Sequence, residues 1–297
     1  MDENFADWLL FNLKKKDSLL CLGMDPVLDS FPRELSSLPP KKALIEFCAQ
    51  ILESVEDLVP VIKFQIACFE RHGSEGIEAL EEALRKTRKS GIISILDCKR
   101  GDIGTISEHY AEAYLSEDAP LGADAVTLNP FLGFDSVEPF LPFLKFKKGV
   151  FVLVRTSNPS AKNIQELGTK EGPLFLEVAK MVRKWGEPFI GKSGFSALGA
   201  VVAGNSPEEL TLLRSQFPSI FFLVPGYGAQ GATEKEVALA FDQKGNGAVI
   251  NSSRQLIYAF QRPPYSGMNI KFWEATRLAY IEARDKLNQA IKERVKK

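Results

Sequence analysis

Two lysines and two aspartates lie within or just after short apolar runs, and their order suggests proton transfer. Lys63 interrupts the apolar run 61–65, and Asp97, Lys99 and Asp102 form a DxKxxD pattern. Interleaved opposite charges keep buried ammonium and carboxylate groups ionised, whereas an isolated buried charge would neutralise. A lysine held protonated in this way can donate a proton to an atom where negative charge develops. The pattern therefore predicts a catalytic charged set, with a structural ion-pair network as the alternative.

Glycines and an arginine follow two later apolar runs and indicate a phosphate site. One run leads into the glycine-rich sequence 225–231, which contains Gln230, and another leads into 251–254, which ends in Arg254. Glycines permit close approach of the backbone, and the guanidinium group offers a fork of donors that matches phosphate oxygens. We therefore predict that Gln230 and Arg254 bind a phosphate monoester. The alternative is a glycine-rich turn beside a surface arginine.

The composition argues against other kinds of chemistry. The chain has only two histidines, and its four cysteines are widely spaced without a CxxC pair, which disfavours a zinc site or a disulfide framework. The 38 acidic and 37 basic residues leave a net charge of −1, so we expect no nucleic-acid partner and no membrane partner. No apolar run reaches the roughly 18 residues of a membrane span. The acidic start is not that of a secretory signal, so we expect a cytoplasmic protein.

An alternation of strands and helices must position these residues. Short β-branched runs alternate with stretches of helical period along the whole chain. The predicted strands are 19–25, 59–66, 92–99, 123–129, 150–157, 198–204, 221–226 and 248–252. The predicted helices between them include 41–55, 74–89, 107–115, 173–185, 207–217 and 233–241.

Eight such units in 297 residues favour a (β/α)8 TIM barrel over an open doubly wound sheet. The sequence lacks a GxGxxG after the first strand, which also disfavours a dinucleotide-binding sheet. We predict one domain over residues 1–297, with an insertion at 26–40 and a C-terminal helical extension at 268–297. Functional residues of such barrels lie at the carboxyl ends of the strands, which would bring the charged set and the phosphate loops to one mouth. Alternation along the third strand would place Asp97 and Lys99 on one face.

In these motifs the chain resembles the orotidine 5'-phosphate decarboxylases, in particular the longer bacterial subgroup. The resemblance rests on the sequences LGMDP, KFQ, LDCKRGDIG, DAVTLNPFLG, TSNP and PGYGAQG and on residues 251–254. It implies a barrel that converts orotidine 5'-monophosphate to uridine 5'-monophosphate and carbon dioxide in pyrimidine synthesis, with no metal and no organic cofactor. One position departs from the family pattern, since Ile106 stands where a threonine is usual. The departure puts a ribose or phosphate contact in doubt, but not the charged set.

The same resemblance implies a role for each charged residue. Lys99 would protonate C6 as carbon dioxide leaves, and Asp97 would lie beside the departing carboxylate and keep Lys63 and Lys99 ionised. Asp102 would reach the active site of a partner subunit, which implies a homodimer. The implied substrate contacts are Asp25 and Lys63 for the ribose hydroxyls, Ser157 for the pyrimidine edge, and Gln230 with Arg254 for the phosphate.

Two other functions stay open at this point. Metal-dependent sugar-phosphate synthases and decarboxylases of the same suprafamily share the DxKxxD pattern. They typically carry a glutamate on strand two, and a cationic residue such as Lys63 disfavours a magnesium site there. A non-catalytic barrel that binds a phosphorylated ligand is the other possibility, although it would have little reason to place Asp97 beside an anion.

Overall fold

Eight parallel strands close into a barrel in the computed structural model, which describes residues 4–228 and 231–296. The strands follow one another around the barrel in chain order, and the first pairs with the last through the register Leu20 to Ile250. Each predicted strand forms within two residues of its expected ends, so the predicted (β/α)8 TIM barrel is confirmed. The barrel strands are β1 (Leu20–Met24), β2 (Val61–Gln65), β3 (Ile93–Arg100), β4 (Ala125–Leu128), β5 (Gly149–Arg155), β6 (Ser196–Val202), β7 (Ile220–Val224) and β8 (Ala248–Ser252).

The longer helices surround the barrel because each presents one apolar face to it, as α-helical spacing allows. The helices are α1 (Phe5–Lys15), α2 (Arg33–Ser36), α3 (Pro40–Val55), α4 (Ala67–Glu70), α5 (Gly73–Lys89), α6 (Gly104–Leu115), α7 (Lys162–Gln165), α8 (Leu174–Gly186), α9 (Pro207–Gln216), α10 (Glu234–Val237), α11 (Arg254–Ile257) and α12 (Phe272–Val295). The predicted helix 233–241 is shorter than expected, since α10 ends at Val237 and passes into a 3-10 turn, Ala238–Ala240.

The two predicted additions to the barrel are both present. The insertion after β1 forms the 3-10 turn Leu28–Ser30 and the short helix α2. The C-terminal extension forms α12, whose Tyr280 is fully buried and donates a hydrogen bond to the main-chain oxygen of Leu20 in β1 (2.8 Å). Within the described ranges, no helix has the length and apolar character that crossing a membrane requires.

Helix α1 was not predicted, and it packs against the amino-terminal end of the barrel. The side chain of Asn4 caps it by accepting a hydrogen bond from the N–H of Ala6 (2.8 Å). Phe5 lies against Gly149 at the start of β5, where a Cβ atom would come within 2.3 Å of the ring. Glycine at this position is therefore required by the close approach of α1.

Arg214 of α9 is buried at the same end of the barrel. Its guanidinium lies 3.8 Å from the ring centroid of Phe222, and among the described residues no carboxylate forms an ion pair with it. Burial lowers the pKa of Arg214 to about 9, so the group stays charged at neutral pH. Its donors are satisfied at 2.7 to 3.3 Å by the main-chain oxygens of Phe217, Pro218, Ile220, Ala240 and Gly247.

Candidate active site

The carboxyl-terminal end of the barrel opens into a cavity of about 1040 Å³. Most of the predicted site residues lie around this one cavity, although they come from five different strand ends. Asp102 is half-buried and is not part of the lining, and Gln230 falls outside the described residues. The predicted residues that line the cavity are Asp25, Lys63, Asp97, Lys99, Ser157 and Arg254.

Asp97 is the centre of the charged set. Its Oδ1 accepts hydrogen bonds from Lys99 Nζ (2.7 Å) and Thr127 Oγ1 (2.8 Å). Its Oδ2 lies 2.9 Å from Lys63 Nζ and accepts a hydrogen bond from Gln65 Nε2 (3.2 Å). The carboxylate therefore has four donors, two of them cationic, and its orientation is fixed from all sides.

The two lysines determine the ionisation of the buried pair. Burial alone would raise the pKa of Asp97, but the charges and hydrogen bonds of Lys63 and Lys99 outweigh it and hold that pKa well below its usual range. Burial alone would lower the pKa of Lys63, but Asp97 and Asp25 outweigh it and raise that pKa above its usual range. Both groups therefore stay charged across the physiological range, as the sequence pattern predicted.

The contact between Lys99 and Asp97 depends on an irregularity in β3 and not on simple strand alternation. The pairing of β3 with β4 shifts register between Leu96 and Arg100, and Lys99 has a φ of +46°. Such a conformation costs a non-glycine residue on the order of 1 kcal/mol. Strand bulges of this kind often redirect side chains beside active sites. The predicted contact between Lys99 and Asp97 is confirmed, but a bulge rather than a regular pleat makes it.

Thr127 of β4 supports this geometry. Its Oγ1 donates a hydrogen bond to Asp97 Oδ1 and accepts one from the N–H of Lys99 (2.9 Å). Gln65 supports the other oxygen of Asp97 from β2. Both contacts depend on which residues of neighbouring strands lie side by side. The sequence shows that a polar residue lies near the end of a strand. It does not show which residue of the neighbouring strand that side chain contacts.

The opposite side of the cavity carries the predicted phosphate loops. Gly226 and Gly228 follow β7 with φ values of 102° and 79°, and a Cβ atom on Gly228 would lie 1.4 Å from Gln255 Oε1. Only glycine fits this turn. Arg254 lines the cavity from the start of α11, and its side chain forms no hydrogen bond or ion pair with the described residues. Its donors are therefore available to an anion.

Two buried acceptors between these regions lack a donor. Asp25 Oδ1 has no hydrogen-bond partner among the described residues and lies 3.7 Å from Lys63 Nζ. Asn251 Oδ1 of β8 is also without a partner, and both residues line the cavity. Buried polar atoms are normally paired, so a ligand that offers hydroxyl donors would complete them. Asn251 is a candidate that sequence reasoning had placed in a motif without a role.

Lys63 lies between two carboxylates, with its Nζ 3.7 Å from Asp25 and 2.9 Å from Asp97. A cation that needed both carboxylates would have to compete with this ammonium group. Over residues 4–228 and 231–296, no group of three or more histidine, cysteine, aspartate and glutamate side chains is placed to hold a metal ion.

Comparisons with known proteins agree with this geometry. Residues 18–262 match the family model described as the orotidine 5'-phosphate decarboxylase / HUMPS family. The orotidine 5'-phosphate decarboxylase of Petrotoga mobilis is 41% identical over 281 residues, 93% of this chain and 96% of that protein. The enzyme of the same name from Caldicellulosiruptor bescii is 37% identical over 306 residues, 97% of this chain and 99% of that protein.

A solved structure gives the same result. The OMP decarboxylase of Leishmania donovani superposes with a TM-score of 0.77 at 30% identity, covering 98% of this chain and 100% of that one. These relatives carry the decarboxylase name, so neither the sugar-phosphate enzyme nor the non-catalytic barrel is favoured. The chain belongs to the orotidine 5'-phosphate decarboxylase family of carboxy-lyases.

Proposed function

We propose that this chain converts orotidine 5'-monophosphate to uridine 5'-monophosphate and carbon dioxide, with Lys99 as the proton donor. The bond between C6 and the carboxyl carbon breaks, its electron pair stays on C6, and carbon dioxide leaves. A proton from Lys99 Nζ then forms the new bond to C6. The observation that carries this proposal is the Asp97 carboxylate fixed between Lys63 and Lys99 in the cavity.

The charged set suits this reaction because its charges are in place before the substrate reacts. Lys99 is held at 2.7 Å from Asp97, so its ammonium group needs no reorganisation to stabilise a carbanion. Asp97 is ionised because the lysines depress its pKa. The negative charge of Asp97 would repel a substrate carboxylate bound beside it. It would not repel carbon dioxide, which is neutral. No metal and no organic cofactor takes part in the proposed steps.

The rest of the cavity accounts for the parts of the substrate. The ribose hydroxyls would donate to the unpartnered Oδ1 of Asp25 and approach Lys63. Ser157 would contact the pyrimidine edge, and Arg254 would bind the phosphate together with Gln230. The barrel over residues 1–297 would act as one domain, and we expect it in the cytoplasm with pyrimidine synthesis.

The direct test is turnover of orotidine 5'-monophosphate in the presence of a metal chelator. Loss of the orotate absorbance should proceed at the same rate with and without chelator, because the proposed steps use only side chains. Arg254→Ala provides a matched test of ligand orientation, since it should raise KM for the nucleotide far more than it changes binding of the unphosphorylated nucleoside. Absence of turnover would contradict the proposal.

We further propose that the active enzyme is a homodimer to which Asp102 contributes across the interface. Asp102 lies outside its own cavity lining, beside the exposed side chains of Ile103 and Ile106. The segment 101–104 packs against 129–135, which adds further apolar side chains to the same face. The exposed apolar residues of that segment are Phe131, Leu132 and Phe134. An apolar face of this kind marks an interaction site. Ile106 would pack there, where a threonine would offer a hydroxyl.

Mixing two inactive variants tests the shared site. If each site takes Lys99 from one subunit and Asp102 from the other, Lys99→Ala and Asp102→Ala chains should recover activity when unfolded and refolded together. Random pairing of the two chains gives about one quarter of the sites a full set in a two-fold dimer. Activity that stays at the sum of the separate variants would exclude a shared site.

A further inference from the structure

Ser157 lies at the cavity in the segment between β5 and α8, most of which has no regular secondary structure. It contains the one-turn helix α7 and a two-residue hairpin, Gly168–Thr169 with Gly172–Pro173. Loops that carry functional side chains are mobile unless side-chain hydrogen bonds fix them to the scaffold. The arrangement of Ser157 therefore depends on what holds this segment in place.

Gln165 at the end of α7 holds the residue immediately before Ser157. Its Oε1 accepts a hydrogen bond from the N–H of Thr156 (2.9 Å), and its Nε2 donates to Thr156 Oγ1 (2.8 Å). Thr156 Oγ1 in turn donates to Oδ1 of Asn158 (2.7 Å). A single amide thus fixes the backbone on one side of Ser157 and, through Thr156, a side chain on the other.

Arg155 fixes Gln165 to the barrel. Arg155 is the last residue of β5 and is 7% exposed, and its Nη1 donates to Gln165 Oε1 (3.3 Å). The same guanidinium donates to Glu166 just after α7 (2.6 Å) and to Glu209 of α9 (2.5 Å). Charge-assisted bonds to two carboxylates are stronger than neutral ones, and they make the guanidinium a rigid support.

Ser157 itself is left free for a ligand. Its main-chain oxygen accepts a hydrogen bond from Asn205 Nδ2 (3.3 Å), whereas its hydroxyl forms no hydrogen bond with the described residues. Both Ser157 and Gln165 line the cavity. The backbone beside Ser157 is therefore held in place, while the Ser157 hydroxyl stays available to a ligand in the cavity.

We propose that Gln165, supported by Arg155, is a positioning residue that sets the place of the Ser157 hydroxyl for the nucleotide. This inference rests on the proposed function, in which Ser157 contacts the pyrimidine. Gln165 acts through Ser157, so removing it should matter only while Ser157 is present.

A double-mutant cycle tests this dependence with the full chain and orotidine 5'-monophosphate. Gln165→Met keeps the length of the side chain and removes its hydrogen bonds, and it should lower kcat/KM by about tenfold. In a Ser157→Ala background the same change should cost less than about twofold. The loss in Gln165→Met should fall on the same constant, kcat or KM, as the loss in Ser157→Ala.

Controls separate positioning from folding. Gln289→Met replaces an exposed glutamine of α12 and should leave kcat/KM unchanged. If Gln165→Met does not fold, Arg155→Lys offers a second route, since it keeps the charge and loses the fork that reaches Gln165. Equal losses in both backgrounds, or no loss with Ser157 present, would overturn the inference. Failure of the wild-type chain to act on the nucleotide would instead contradict the proposed function.

Discussion

The two ends of the barrel each hold a buried cation, and they satisfy it in different ways. At the amino-terminal end, Arg214 donates to main-chain oxygens alone, so the fold itself meets its hydrogen-bonding requirement. At the carboxyl-terminal end, Lys63 relies on side chains, with Asp97 at 2.9 Å and Asp25 at 3.7 Å. One oxygen of Asp25 remains without a donor. The first arrangement is closed, whereas the second keeps a place for a ligand.

This difference separates stability from function along the barrel axis. The guanidinium of Arg214 bonds main-chain oxygens of the fold at 2.7 to 3.3 Å, so this cation serves packing rather than ligand binding. The end with Lys99 carries a strained φ of +46° and unpaired polar atoms, which cost stability and persist at functional sites. Substitutions at the amino-terminal end should therefore lower the free energy of unfolding, and substitutions at the carboxyl-terminal end should lower turnover.

The largest expected effect is that of Lys99→Ala on catalysis. Removing the proton donor and its charge should lower kcat by about 10³-fold or more. The unfolding midpoint should stay near that of the wild type, because the Lys99 side chain is 43% exposed. The measurement is steady-state turnover beside binding of uridine 5'-monophosphate, which should survive. Near-normal turnover would contradict the role of Lys99.

Arg214→Met should have the reverse effect. It removes the donor to five main-chain oxygens, and leaving such groups buried and unpaired should lower the free energy of unfolding by about 3 kcal/mol. The kcat of the folded fraction should change less than about twofold, since the residue lies far from the chemistry. Arg214→Lys should lose less stability. A fall in kcat without a loss of stability would break the comparison.

Thr127→Val tests whether Thr127 positions Asp97 and Lys99 at the carboxyl-terminal end of the barrel. It removes the hydroxyl that links Asp97 to the N–H of Lys99, and a lost hydrogen bond of this kind should lower kcat by about tenfold. Thr276→Val in α12 is the matched control, since Thr276 is equally buried and bonds only its own helix. Equal kcat values for the two variants would show that Thr127 does not position the pair.

The smallest effect expected is that of pH. The depressed pKa of Asp97 means that its contribution to stability is present above the ordinary pKa of about 4 and is lost only as pH falls through the lower folded value. The raised pKa of Lys63 means that its contribution is present below about 10.4 and is lost as pH rises through the folded value. Accordingly, kcat should be flat between about pH 5 and pH 8. A fall in kcat towards the acidic end of that range would contradict the depressed pKa of Asp97.

The sequence was sufficient for the architecture and for the approach of Lys63, Asp97 and Lys99. Strand periodicity set the eight strands, and the barrel rule brought their ends together. It was not sufficient for Thr127, whose partner depends on lateral register between β3 and β4, nor for Arg214, which reads as an ordinary helical surface residue. Helix α1 was missed because it lies before the strand and helix alternation begins.

The pairing of β1 with β8 also has a consequence for synthesis on the ribosome. Until β8 emerges, β1 and β7 each expose one unpaired edge, and exposed edges favour association with other chains. Tyr280 of α12 then bonds the main chain of β1 at that seam. Nascent chains halted before residue 248 should therefore associate with other chains more readily than the full chain does, because both edges stay exposed.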